Sequence, residues 1–284
     1  FSTTSGPVLN APAITLPATL PASGTTVWAG VDVTGAAAPD GAYEITLTVT
    51  DAAGNTGAAT TAVIVDTEAP LLTGLEPAAG SRLNSAVSEI VASFDPLSGA
   101  PIELDGAQIT LTGSAGAIAG TLEQDVAANT VRLRLDTPLT TSAENDTYTV
   151  DVTAADEAGN AVTRSSSFTF DTVAPVLSQV TNADGLPLGP GVPLTASDTL
   201  SIALVETGSG IDFSGAAAIL TGPSGALTPL AVETSPLQLS AGYANLSEEG
   251  VYTFVVDGVR DLAGNVGESR TVTFLHDTTA PTID

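Results

Sequence analysis

Aspartate, glycine and asparagine recur in this chain in the pattern D-x-x-G-N, which occurs three times. The first and last residues of the copies are Asp51 and Asn55, Asp156 and Asn160, and Asp261 and Asn265. Carboxylate, amide and backbone carbonyl oxygens are ligands that Ca²⁺ takes in proteins. The same residues favour tight turns, because Asp binds nearby backbone groups and Gly and Asn tolerate positive φ. The pattern therefore predicts a turn, a metal site, or a turn that holds metal ligands.

A second acidic pattern, D-T-x-A-P, follows each copy of the first and begins at Asp66, Asp171 and Asp277. Its closing prolines are separated by 105 and 106 residues, and the asparagines of D-x-x-G-N by 105 residues at both steps. A tyrosine precedes each loop at nearly the same period, at Tyr43, Tyr148 and Tyr252. Three independent markers with one period indicate an internal repeat.

The repeat sets the predicted domain boundaries. A unit of about 105 residues has the size of a seven-stranded β-sandwich. We predict a partial or short unit 1 at residues 1–70, complete units 2 and 3 at residues 71–175 and 176–281, and the start of a following unit at residues 282–284. Unit 1 lacks the two opening strands of the others, because its "TTVWAGVD" aligns with "NTVRLRLD" of unit 2.

Strands are predicted from runs in which apolar and polar residues alternate. Each tyrosine opens such a run, for example "YEITLTVTD" and "YTVDVTAAD", and a period of two predicts a half-buried antiparallel strand. Further runs are "SEIVASFD", "DTLSIALVE", "AQITLTG", "AAAILTG" and "NTVRLRLD". The run of unit 3 is one residue longer, and we place a β-bulge at Gly258. No long amphipathic helix is predicted, so the chain is all-β, a string of antiparallel β-sandwiches.

The short unit 1 has three explanations at this level. The chain is an excerpt of a longer repeat array, or unit 1 is a genuinely shorter sandwich. Alternatively, the chain is a subunit whose incomplete sandwich accepts a strand from its neighbour and so builds a filament.

Acidic segments are expected to converge where each unit is entered. In such a sandwich the second-to-third and sixth-to-seventh loops lie at the entrance, beside the linker from the preceding unit. The candidate ligands of unit 2 are Asp66, Asp95, Asp156 and Asn160. Those of unit 3 are Asp171, Glu206, Asp212, Asp261 and Asn265. Asp51 and Asn55 hold the same positions in unit 1, and Asp277 lies in the last D-T-x-A-P segment.

The charge balance favours a cation at these positions. The chain has 32 acidic and 6 basic residues, for a formal charge of −26. Two carboxylates 4 Å apart repel by roughly 4 kcal/mol at an effective dielectric constant near 20. Calcium, the predicted cofactor, accepts mixed oxygen ligands, whereas Mg²⁺ prefers to keep several waters. Zinc is disfavoured, because the chain has no Cys and His276 is its one histidine, for which we expect a solvated or capping position.

Composition also excludes several classes of function. The acidic excess argues against nucleic acid and anionic membranes as partners, and no apolar run is long enough for a membrane span. Thiol and Schiff-base catalysis lack Cys and Lys, and Ser-His-Asp catalysis lacks a G-x-S-x-G motif, so we predict no enzyme. A carbohydrate-binding role would need Trp28, which we expect in the core. The tripeptides at Asn145 and Asn245 match the glycosylation sequon.

The combined pattern of tyrosine run, D-x-x-G-N and D-T-x-A-P, together with "GSGID" at 208–212, resembles the bacterial Ig-like repeats of large surface adhesins and biofilm-associated proteins. The resemblance implies tandem immunoglobulin-like sandwiches, extracellular on the cell surface or secreted. It implies a calcium-rigidified stalk that carries a binding tip. Expected partners are neighbouring repeats or identical subunits, and carbohydrate or a host or abiotic surface through other regions. Unit 2 departs from the pattern with "DPLSGAPIELD". A self-assembling subunit of a filament, sheath or surface layer is the alternative function.

Overall fold

The computed structural model describes residues 40–50, 53–96, 100–189, 194, 197–227, 229, 231–244, 246–280 and 282, with the backbone alone for 43–50, 197, 231 and 244. Helix in this part of the chain is confined to a 3₁₀ turn at Ser142–Glu144. None of the helical structure described there has the length and apolarity needed to cross a membrane.

The described residues form 21 strands. Unit 1 contributes β1 (Gly41–Thr50) and β2 (Thr56–Val65). Unit 2 contributes β3 (Leu71–Glu76), β4 (Arg82–Leu83), β5 (Val87–Asp95), β6 (Ile102–Gly113), β7 (Gly116–Ile118), β8 (Gly120–Asp125), β9 (Thr130–Leu139), β10 (Asp146–Asp156) and β11 (Ala161–Phe170). Unit 3 contributes β12 (Val176–Thr181), β13 (Ser197–Val205), β14 (Ile211–Asp212), β15 (Ala217–Gly222), β16 (Gly225–Leu227), β17 (Ala231–Ser235), β18 (Gln238–Ala244), β19 (Gly250–Asp257), β20 (Arg260–Asp261) and β21 (Arg270–His276).

Unit 2 consists of two sheets in the immunoglobulin arrangement. One has the order β3-β5-β9-β8 and the other the order β4-β11-β10-β6-β7. The opening segment is shared between the sheets, because β3 pairs with β5 and β4 pairs with β11. The prediction of an all-β, immunoglobulin-like fold is confirmed. One detail differs from an entirely antiparallel sandwich, since the short β4–β11 pair is parallel.

Unit 3 repeats this topology, with sheets β12-β13-β18-β17 and β16-β15-β19-β21. A two-stranded pair, β14-β20, continues the second sheet towards the entrance. The predicted irregularity lies at Gly258, whose φ of 70° separates β19 from β20. A side chain there would overlap the carbonyl of Gly215, which accounts for the glycine. In unit 1, β1 and β2 form an antiparallel hairpin.

Each complete unit has a separate apolar core formed by its alternating strands. In β10 the inward residues Tyr148, Val150 and Val152 are buried, and the residues between them are exposed or half-buried. One cluster of buried residues lies within 87–170 and the other within 177–274. Because each core is closed within its own repeat, only the linkers and end loops remain to fix one unit against the next.

The D-x-x-G-N segments are hairpin loops, as predicted. The Asp156 N–H donates to the Asn160 carbonyl at 3.1 Å, and the Asp261 N–H donates to the Asn265 carbonyl at 3.0 Å. The glycine of each loop, including Gly159, has a φ between 89° and 96°, in the left-handed region that glycine adopts readily. The turn chemistry inferred from the sequence is therefore correct, and the metal question depends on what surrounds the loops.

Two of the repeated tyrosines, Tyr148 and Tyr252, are tyrosine corners, which tie the end of one strand to the loop before it. The Tyr148 hydroxyl donates to the Glu144 carbonyl at 2.7 Å, and the Tyr252 hydroxyl donates to the Glu248 carbonyl at 3.0 Å. Gly113 lies against the Tyr148 ring, where a side chain would overlap it. The corner holds the segment that immediately precedes β10 in unit 2 and β19 in unit 3.

We expect Tyr148→Phe to lower the free energy of unfolding of unit 2 by about 1 kcal/mol, because it removes one hydrogen bond and keeps the ring. Tyr252→Phe should do the same for unit 3. Urea unfolding of the full chain, followed by circular dichroism, measures both. Unchanged unfolding curves would show that the corners contribute nothing to stability.

Candidate metal centre at the joint between units 2 and 3

The linker between units 2 and 3 begins with Asp171, whose side chain is only 1% exposed. One carboxylate oxygen accepts the Asn145 side-chain amide at 3.0 Å and the Val173 N–H at 3.1 Å. The other oxygen accepts the Ser209 N–H at 2.8 Å. Asn145 belongs to unit 2 and Ser209 to unit 3, so this carboxylate is bound by both units.

The D-x-x-G-N loop of unit 3 contacts the same linker. The Asn265 side-chain amide donates to the Asp171 backbone carbonyl at 2.8 Å and to the Asp261 carboxylate at 2.7 Å. The second carboxylate oxygen of Asp261 accepts the Asn265 N–H at 2.9 Å. Asp261 is 1% exposed. The asparagine thus connects the linker backbone to the buried aspartate of the loop.

Glu206 completes a group of three acidic residues. One carboxylate oxygen from each of Asp171, Glu206 and Asp261 lies within 4.8 Å of the others. Glu206 is half-buried and accepts the Gly208 N–H at 2.6 Å. The two ion pairs in the described part of the chain, Arg132 with Glu89 and Arg134 with Glu123, both lie within unit 2 and outside this group.

The three carboxylates retain acceptor capacity after their hydrogen bonds are counted. An ionised carboxylate offers about four lone-pair positions. The protein donates three hydrogen bonds to Asp171, two to Asp261 and one to Glu206. Three carboxylates this close, two of them buried, repel one another, and a cation would compensate their charge. The group can therefore hold a metal ion, and its oxygen ligands suit a hard cation.

Gly208 allows the linker carboxylate to reach this position. A side chain at Gly208 would overlap both carboxylate oxygens of Asp171. Those oxygens are fixed by three donors, so they cannot move aside without losing hydrogen bonds. "GSGID" thus supplies a backbone surface without a Cβ, followed by the Ser209 N–H that binds the aspartate.

The joint between units 1 and 2 uses the same hydrogen-bond pattern. The Asp66 carboxylate accepts the Ala100 N–H at 2.6 Å, and its backbone carbonyl accepts the Asn160 amide at 3.1 Å. Asn160 also donates to the Asp156 carboxylate, at 3.0 Å from its side chain and 2.9 Å from its backbone. Among the described residues, however, the acidic side chains of this joint do not form a group of three within 4.8 Å.

The remaining candidates lie outside the three-residue group. Asp95 is exposed at the end of β5. Asp212 accepts the Ser214 N–H at 2.8 Å and the Ser214 hydroxyl at 3.0 Å, and these bonds, together with Arg260, lower the pKa of Asp212. Asn55 and Asp277 are exposed. Asp51, like Trp28, falls outside the described residues.

His276 corrects one expectation. We expected a solvated or capping side chain, but His276 is 1% exposed, and its ring packs edge-on against Tyr252 with ring centroids 5.8 Å apart. The cause is its register. His276 pairs with Gly250 as Phe170 pairs with Asp146, so His276 takes the inward position that Phe170 fills in unit 2. The linker that begins at Asp277, directly after His276, favoured a solvated position in the sequence analysis.

Sequence reasoning missed Ser209 and Asn145. Ser209 donates its backbone N–H to Asp171, and its hydroxyl accepts the Ala263 N–H at 3.1 Å, but a single serine between two glycines gives no distinct signal in the sequence. The tripeptide at Asn145 suggested a glycosylation sequon, but the side chain binds the linker, accepting the Thr172 N–H at 3.0 Å. The detectable signal was its position. Asn145 lies three residues before a repeated tyrosine, and Asp40 and Glu249 occupy the same position in the other two units.

The folds of units 2 and 3 and the hydrogen-bonded linker between them define the class of protein, which is a tandem array of immunoglobulin-like β-sandwiches. Comparison with known families agrees. Residues 66–172 match the family described as bacterial Ig-like domain, and residues 16–67 match a second family with the same description. Residues 16–172, more than half of the chain, thus belong to bacterial Ig-like domains.

Several solved structures resemble the chain distantly. A tetra-tandem repeat from the extending region of a large adhesion protein is 18% identical with a TM-score of 0.36, and the match covers 85% of this chain and 58% of that one. PcoC, a copper resistance protein from Escherichia coli, is 19% identical with a TM-score of 0.31, over 36% of this chain and 98% of PcoC. At these identities and scores the likenesses add nothing to the family match. None of the curated proteins compared matches the chain.

We expect Gly208→Ala to destabilise unit 3 and its joint by about 1–3 kcal/mol, the usual cost of forcing an extra methyl group into a filled site. Gly189→Ala is the matched control, because a side chain at Gly189 meets nothing within 4 Å. Scanning calorimetry of the full chain compares the two variants. Equal melting curves for both would show that the contact between Gly208 and Asp171 is not tight.

Proposed function

We propose that this chain is a non-catalytic, extracellular stalk segment of a bacterial surface adhesin, whose joints are stiffened by calcium. The observation that carries the proposal is the group Asp171, Glu206 and Asp261, which combines a linker residue with two loops of the next unit. A cation bound to all three carboxylates would fix the linker to unit 3. A stalk needs such joints, because sandwiches connected by unrestrained linkers move relative to one another and do not form an extended rod.

The residues fit calcium better than other common cations. All three groups are carboxylates, and carbonyl oxygens lie in the same loops, which suits the six to eight oxygen ligands of Ca²⁺. The charge of the chain, −26, also favours cation binding and leaves little attraction for nucleic acid or anionic lipid. The family match to bacterial Ig-like domains supports a structural repeat on the outside of a cell.

The two joints are expected to differ in affinity. At the joint of unit 2, Asp156 and Asn160 have the same hydrogen bonds as Asp261 and Asn265, and Asp66 accepts the Ala100 N–H as Asp171 accepts the Ser209 N–H. Asp95, however, does not join Asp66 and Asp156 in a compact group as Glu206 joins its partners. We therefore assign the tighter site to the joint between units 2 and 3.

Calcium should raise the melting temperature of unit 3, because a ligand that binds only the folded state stabilises it. At free calcium 100-fold above the dissociation constant, the gain is about 2.7 kcal/mol. Calorimetry of the full chain in calcium, in magnesium and in EDTA measures the shift. Identical melting curves in calcium and EDTA would refute the proposed calcium site.

The variant Glu206→Gln should lose most of this calcium-dependent shift and weaken calcium binding at least tenfold by titration calorimetry. The matched control is Glu233→Gln, which removes the same charge from an exposed strand of the same unit. A comparable loss in both variants would indicate diffuse attraction by the acidic surface and would contradict a site at the joint.

A further inference from the structure

A polar side chain at the exit end of each unit binds a threonine of the following linker. The Thr67 hydroxyl donates to both carboxylate oxygens of Asp40 at 3.0 Å. The Asn145 side-chain oxygen accepts the Thr172 N–H at 3.0 Å and the Thr172 hydroxyl at 3.1 Å. We call this pair of residues the linker clamp.

The third copy is the same contact with a longer side chain. Glu249 accepts the Thr278 N–H at 3.2 Å, the Thr278 hydroxyl at 2.8 Å and the Thr279 hydroxyl at 2.5 Å. Hydrogen bonds from Thr279 and Thr278 hold the pKa of Glu249 below its ordinary value, as expected for an ionised acceptor. The linker clamp thus occurs in all three units with three different acceptor residues.

The repeat explains why the clamp residue always reaches the linker. Asp40, Asn145 and Glu249 each lie three positions before a repeated tyrosine. Each directly precedes the first residue of β1, β10 or β19. The partner strand of the hairpin leads into the linker, so the threonine lies beside the clamp residue at the end opposite the D-x-x-G-N loop.

The clamp residue is itself held in place in units 2 and 3. The tyrosine corners bind the carbonyl of the residue just before it, Glu144 in unit 2 and Glu248 in unit 3. In unit 2, Glu144 also closes a capping box with Thr141 around the 3₁₀ turn. The tyrosine corner fixes the backbone just before the clamp residue, and the side chain of the clamp residue binds the linker. The linker therefore has little freedom to move.

The clamp of unit 2 differs from the others in one respect. The Asn145 side chain has a donor as well as an acceptor, and its amide donates to the Asp171 carboxylate at 3.0 Å. An ionised Asp or Glu has no donor, so Asp40 and Glu249 bind the threonine alone. Asp66, which follows Asp40 in the linker between units 1 and 2, is half-buried, whereas Asp171 is 1% exposed.

We propose that the residue three positions before each repeated tyrosine is a positioning residue that sets how rigidly its unit is joined to the next. Asn145 holds the Asp171 carboxylate in the orientation in which it binds Ser209 and lies beside Glu206 and Asp261. Asp40 and Glu249 bind only threonines of their linkers, so in these units the clamp does not hold the linker aspartate. All of these bonds join protein atoms, so the effect does not require a bound cation.

The test measures the distance distribution between units 2 and 3 by double electron–electron resonance. The chain has no cysteine, so Thr121→Cys in β8 and Thr234→Cys in β17, both exposed, provide two specific spin labels. Asn145→Asp keeps the acceptor for Thr172 and removes the donor to Asp171. Asn145→Ala removes both.

We expect a narrow distribution for the parent and at least a twofold greater width for both Asn145 variants, in EDTA as well as in calcium. Asp40→Asn, which alters only the clamp of unit 1, is the control and should leave the width unchanged. Thermal unfolding checks that each variant is folded.

Parent-like widths for folded Asn145→Asp and Asn145→Ala in EDTA would overturn the proposal. The EDTA measurement also separates the two proposals. If the Asn145 variants widen the distribution in EDTA, the clamp proposal stands even if no calcium binds. If calcium shifts the melting temperature, the calcium proposal stands even if the Asn145 variants have parent-like widths.

Discussion

The joint between units 2 and 3 depends on a single carboxylate that belongs to both. Asp171 ends the last hairpin of unit 2, and its side chain is buried where unit 3 begins. Burying an ionised carboxylate is costly unless donors or cations compensate it. Asn145 and Val173 supply donors from one side and Ser209 from the other. Neither unit alone provides the full set, so the buried carboxylate links the two units.

This requirement explains several features that have no role inside either core. Gly208 is needed because the carboxylate occupies the space of a side chain. Asn265 bridges the linker carbonyl to Asp261 and so ties the hairpin loop to the linker. The joint of unit 2 repeats these bonds around Asp66. The 105-residue period is therefore a period of joints as well as of sandwiches.

The fold was largely predictable from the sequence. Alternation in runs such as "SEIVASFD" reflects a two-sided sheet, and strand β5 follows that run closely. The tight D-x-x-G-N loops followed from turn chemistry and were correct. The parallel β4–β11 pair was not predictable, because a two-residue strand carries no periodic signal.

The joint was only partly predictable. Asp171, Glu206 and Asp261 could be named, because acidic residues at repeated loop positions stand out against few basic ones. Asp212 has the same residue type, yet it binds Ser214 locally. The burial of His276 depends on the register of its strand, which cannot be predicted from composition. The clamp escaped notice because its three members are Asp, Asn and Glu, so its position rather than its residue type is repeated.

Amide hydrogen exchange at Ser209, measured by nuclear magnetic resonance on the full chain, tests whether the linker aspartate holds the joint. The Ser209 N–H donates to Asp171 across the joint, whereas Thr207 in the same loop is exposed. We expect Ser209 to exchange far more slowly than Thr207, and Asp171→Ala to abolish this protection while the core residue Phe254 stays protected. Equal, rapid exchange at Ser209 and Thr207 in the parent chain would contradict a joint built on the linker aspartate.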